Sequence, residues 1–107
     1  MNEKTLNLLG IARRAGRLSL GNDAAIESLR RRNARLVLLA KDLSPRTAGG
    51  VRFVAEEEGI ALHELPSTMD DISMALGKRT GVVAVNDAGF AKKLLELCNA
   101  QAAGTDD

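Results

Sequence analysis

Among the side chains able to do chemistry, the single histidine, His63, and the single cysteine, Cys98, come first. A zinc site on His63 would need carboxylates or Cys98 brought to it, and the chain has no His-x-x-x-His pair. Cys98 excludes a disulfide within the chain and falls on an apolar helical stripe, where an inert buried thiol is expected. No serine sits in a G-x-S-x-G elbow. Gly77-Lys78-Arg79-Thr80 resembles the end of a phosphate loop, but Ile72 occupies the first-glycine position and the segment precedes its strand. Carboxylates gather at helix starts, where capping accounts for them. The expectation is a binding protein and not an enzyme, with no metal and no cofactor.

Anion binding is the chemistry that does fit. Gly21-Asn22-Asp23 opens a helix whose first backbone N–H groups lack partners within the helix, a natural seat for phosphate. The helix continues through the stripe Ala25, Ile26 and Leu29 and closes on Arg30-Arg31-Arg32, where positive charge suits the negative end of the dipole. It feeds Leu36 to Ala40, an apolar run without a polar face, and Lys41 follows at the far end of that strand.

Charge adds to this picture. The 107 residues carry a net charge of +1, but residues 1–52 hold eleven basic and four acidic side chains and residues 53–107 four and ten. Such segregation is compatible with a face that meets a polyanion. Only Phe53 and Phe90 are aromatic, which argues against modules that stack single-stranded bases. The N-terminal apolar run is broken by Arg13 and Arg14, so neither a signal peptide nor a membrane span is expected, and the expected location is cytoplasmic.

The elements that must position these residues alternate. Thr5 to Ala15 reads as a helix stopped by Gly16, and Arg17 to Leu20 as a short strand. Ser44-Pro45 starts a third helix, with Ala48, Val51, Val54 and Ala55 inward and Gly59 as its stop. Gly49-Gly50 within it suggests close approach of a neighbouring backbone, and Glu56-Glu57-Glu58 a solvated face. Ile60 to Leu65 forms a more exposed strand, and Leu65-Pro66-Ser67 ends it. Thr68 and Asp71 form a capping box for a helix that stops at Gly77. Val82 to Val85 is a second buried strand, after which Asn86-Asp87 caps a last helix. The order predicts a three-layer α/β/α sandwich around a four-stranded mixed sheet, one domain over 1–98, with a disordered tail at 99–107.

The order of elements, LVLLAKDLSP after the second helix and VVAVNDAGFAKKL near the end resemble the ribosomal-protein family of the L-seven-Ae and L-thirty-e type, especially its short bacterial YlxQ-like members. The likeness spans about residues 4–97, and NDAGFAKKL is its most specific segment. It implies structured RNA as partner, typically a kink-turn, within ribosomal or other ribonucleoprotein assemblies. The implied RNA-binding residues are Gly21, Asn22 and Asp23 at the helix start, Lys41, and the Leu65, Pro66, Ser67 loop. Arg13, Arg14, Arg17, Lys78 and Arg79 would touch phosphate if they share that face. Kink-turn binders of this type follow the glycine with x-Asn-Glu-x-x-Lys, and here those positions hold Asp23, Ala24 and Glu27. The resemblance therefore implies the fold firmly but a weakened kink-turn contact. The alternative is a protein–protein adaptor that kept the fold and lost RNA recognition.

Overall fold

The apolar strings Leu36–Leu39 and Val82–Val85 are buried at every position, as expected of strands covered on both faces. A computed structural model of the chain, describing residues 3–104, places them side by side at the centre of one sheet. The elements are α1 (Glu3–Arg14), β1 (Leu18–Leu20), α2 (Asn22–Arg30), β2 (Leu36–Leu39), α3 (Pro45–Glu58), β3 (Leu62–Glu64), α4 (Met69–Leu76), β4 (Val82–Val85) and α5 (Ala88–Gly104). The strand order is β1-β4-β2-β3. β4 runs antiparallel to both β1 and β2, and β2 and β3 are parallel. The sheet is mixed, and His63 lies on its edge strand β3.

Alternate residues of the central strands feed two separate cores. Leu36, Leu38, Val83 and Val85 pack with Leu6, Leu9, Ile72, Ala91 and Leu94 from α1, α4 and α5. Val37, Leu39, Val82 and Ala84 pack with Ala25 and Leu29 of α2 and Val51, Val54 and Ala55 of α3. The period-2 alternation of side chains thus divides a continuous apolar run between two layers.

Local signals are seen as hydrogen bonds. Ser44 caps α3 by accepting from the Thr47 amide, and Gly59 closes that helix in the left-handed conformation. Thr68 and Asp71 make the reciprocal capping box of α4. Four local expectations need correction. Gly49 and Gly50 face open space, so close backbone approach does not explain them. Glu57 and Glu58 are ion-pair partners of Arg30, at 2.7 and 3.2 Å, because the last turns of α2 and α3 end side by side. Asp87 alone caps α5, accepting from the Phe90 amide, while Asn86 turns into the sheet. The backbone of α5 stays helical past Cys98 to Gly104, since Ala100, Gln101, Ala102 and Ala103 favour helix without an apolar stripe. Residues 105–107 of the expected tail lie outside the described residues.

Candidate nucleic-acid interface

Strand direction decides which residues meet. β1, β2 and β3 end, and β4 begins, at the same edge of the sheet. Hydrogen bonds continue across that edge as a row: the Gly21 amide donates to the Val82 carbonyl at 2.8 Å, Ala40 to Gly81 at 2.9 Å, and Lys41 to Ser67 at 2.9 Å. The helix start, the residue after the central strand and the Pro-Ser loop, distant in sequence, therefore lie along one line. Ligands of open α/β sheets commonly sit outside the carboxyl ends of strands, and three strands end here.

Three helices also begin at this edge, and they differ in one respect. Ser44 and Thr68 cap α3 and α4 with their own side chains. Gly21, the N-cap of α2, has no side chain to offer, and no side chain caps that helix. Its φ of 96° and ψ of 162° belong to a region that only glycine enters cheaply. The first amides of α2 thus face outward between Asn22, Asp23 and Ala24, all exposed. The edge is braced on the other side. Asp42 accepts from the Met69 amide at 2.9 Å, tying the segment after Lys41 to the start of α4. The carboxyl of Asp71 is held below its ordinary range, chiefly by the Thr68 amide and hydroxyl, with a smaller contribution from nearby Lys41.

Several expected contact residues are placed differently. Leu65 is 2% exposed and belongs to the core under α1, so its side chain faces the wrong way. Ser67 is 3% exposed and serves the edge through its carbonyl; of the loop, Pro66 is exposed. Arg79 reaches back to Asp70 at 2.6 Å, which partly neutralises it, and Lys78 is exposed beside it. Arg13, Arg14 and Arg17 do not share this edge. The carbonyl of Arg17 accepts from the Asn86 amide at 2.8 Å at the start of β1, the opposite end of the sheet. Arg13 and Arg14 occupy the last turn of α1 just before it, with Arg13 directed to Gly77 at the end of α4. The condition set for all three fails because β1 carries the chain away from them before Gly21 is reached. Glu27, exposed on the second turn of α2, lies 3.8 Å from Arg31.

Sequence inspection missed Asn86. Its side-chain amide donates to the Ser19 hydroxyl at 2.8 Å and its oxygen accepts from the Ser28 hydroxyl at 2.5 Å, joining β1, β4 and α2. A polar residue directly after a fully buried strand is a usable signal for such a bridge, but helix capping explained it equally well. Cys98 is half-buried against the core and burial pushes its thiol upward, away from nucleophilic use. Among the described residues, no cluster of three or more His, Cys, Asp or Glu side chains could hold a metal ion.

The chain is thus a layered α/β/α domain with an uncapped, glycine-started helix beside a Pro-Ser turn at one edge of the sheet. The model of the ribosomal protein L7Ae/L30e/S12e/Gadd45 family matches residues 3–95, and the chain belongs to that family. It is similar to the RNA-binding protein YlxQ of Enterococcus faecium, 36% identical over 95 residues that cover 89% of this chain and 91% of the relative. The RNA-binding protein YlxQ of Bacillus subtilis is 37% identical over 95 residues, covering 84% and 90%. Among solved structures, a protein with unknown function from Bacillus halodurans C superposes with a TM-score of 0.87 at 28% identity, over 92% of this chain and 99% of that one.

Proposed function

We propose that this protein binds structured RNA of the kink-turn type, without catalysis, as part of a ribosomal or other ribonucleoprotein assembly. One observation carries this: the hydrogen-bonded row that aligns the open start of α2 at Gly21 with Lys41 and the Pro66–Ser67 turn. Backbone N–H donors at an uncapped helix start hold phosphate through geometry and dipole together. Lys41 adds charge, and exposed Asn22 can both donate and accept. The similarity to RNA-binding relatives supports the same partner over an adaptor role.

Side chains beside the amides set the strength. Asp23 and Glu27 only accept hydrogen bonds when ionised and repel phosphate, and Ala24 offers no acceptor for a guanine amide. Losing one bidentate base contact costs about 1–3 kcal/mol in nucleic-acid readout. A standard kink-turn should therefore bind weakly, and the combined change Asp23→Asn, Ala24→Glu and Glu27→Lys should tighten it by at least about tenfold. Titration of one labelled kink-turn duplex with both proteins at a single salt concentration measures this. Tight binding by the unmodified protein, or no gain from the triple change, would show that other residues carry recognition.

A further inference from the structure

The arginines that failed to join the Gly21 edge come together at the other end of the sheet. Arg17, Asn86 and Arg35 stand in one row across β1, β4 and β2: Asn86 donates to the Arg17 carbonyl at 2.8 Å, and Arg35 donates to the Val85 carbonyl at 2.7 Å. Two strand spacings separate the arginines, roughly 10 Å. The last turn of α1 brings Arg13 and Arg14 to the same end. All four are exposed, and among the described residues none of them forms an ion pair.

The neighbouring charges are different. Arg30 and Arg32 are engaged by Glu57 and Glu58, and Arg31 by Glu27. The glutamates of α2 and α3 are therefore paired with other arginines, while Asp87, which caps α5 through the Phe90 amide, keeps its single negative charge beside Asn86. What remains is Arg17 and Arg35 on either side of Asn86 in the strand row, with Arg13 beside Gly77 and Arg14 beside Gly10 on the α1 side of the same end.

We propose that this end is a second RNA contact, which grips the phosphate backbone of a duplex independently of sequence. It rests on the reading of RNA as partner but not on the Gly21 edge. Arginine's planar fork matches phosphate oxygens, which favours a phosphate backbone as the partner. Gly21 and Arg17 are four residues apart along β1, roughly 14 Å, so the two ends can engage separate stretches of one RNA.

The test uses the full chain and a plain 20-base-pair RNA duplex with no kink-turn, titrated over a range of salt. Removing a phosphate contact lowers the slope of log affinity against log salt by roughly 0.7–0.9. The change Arg13→Gln, Arg14→Gln, Arg17→Gln and Arg35→Gln should lower the slope by roughly three and weaken binding about tenfold or more at low salt. Lys41→Gln should lower it by about one at most. The four-lysine version, which keeps the charge, should retain most of the slope and controls for folding. An unchanged slope in the glutamine protein, or no duplex binding by the parent, overturns the proposal. So does equal competition by polyglutamate of matched charge, which would point to an acidic protein partner. Failure of the kink-turn titration alone would leave this contact standing, and failure here would leave the Gly21 edge standing.

Discussion

Replacing Asn86 with alanine is expected to destabilise the fold far more than its place after a strand suggests. The side chain joins Ser19 on β1 and Ser28 on α2, so its loss removes two hydrogen bonds between separate elements. Each is worth about 1 kcal/mol net. Ser28 is 5% exposed, and stranding its hydroxyl adds about another 1 kcal/mol, whereas half-buried Ser19 can turn to water. The total, about 3 kcal/mol, corresponds to a fall of roughly 12 °C in Tm for a domain of this size. Urea unfolding followed by circular dichroism measures the difference. Adding Ser28→Ala to Asn86→Ala should cost less than the two single losses together, by about 2 kcal/mol, because both singles lose the same shared hydrogen bond and the stranded hydroxyl is gone. Strict additivity, or an Asn86→Ala protein within about 0.5 kcal/mol of the parent, would show that the bridge is not structural.

Two further outcomes follow from burial and capping. Leu38→Asp places an unpaired charge at a fully buried position of the central strand, at a cost comparable with a whole domain's stability of roughly 5–15 kcal/mol, so a soluble, cooperatively melting variant would refute the packing. The Thr68 hydrogen bonds hold the Asp71 carboxyl below its ordinary value of 3.8, so its contribution is present above that value and is lost as pH falls through the folded one. The Tm gap between the parent and Asp71→Ala should therefore be constant near neutrality and shrink below about pH 4, and a gap independent of pH would exclude the box as its source.

The elements were largely legible because their signals are local. The unbroken apolar runs at Leu36 and Val82 named the inner strands, and Ser44-Pro45 and Thr68 with Asp71 announced two caps that the structure contains. What could not be read was direction. Arg17 and Gly21 flank the same short strand, and only its pairing with β4 shows that they face opposite ends of the molecule. Leu65 misled for a related reason. A loop signal marks where the chain turns, not which side chain it buries, and the strand's alternation carries Leu65 inward. The Arg30 pairs with Glu57 and Glu58 join residues nearly thirty positions apart in sequence, a relation that no short window along the chain contains.

The two cores give the candidate interface an unusual construction. Its Gly21 half hangs on α2, seated in one layer, while the turn at Ser67 leads from Leu65, anchored in the other. Only the sheet between them fixes their relation. The interface is therefore a seam, and its width is set by how each layer sits on the strands. A methyl group gained or lost at Val37 would tilt one bank of the seam, and the same change at Leu38 the other. Drift in the hidden residues of either layer could thus retune which RNA fits, while every side chain that touches it stays the same.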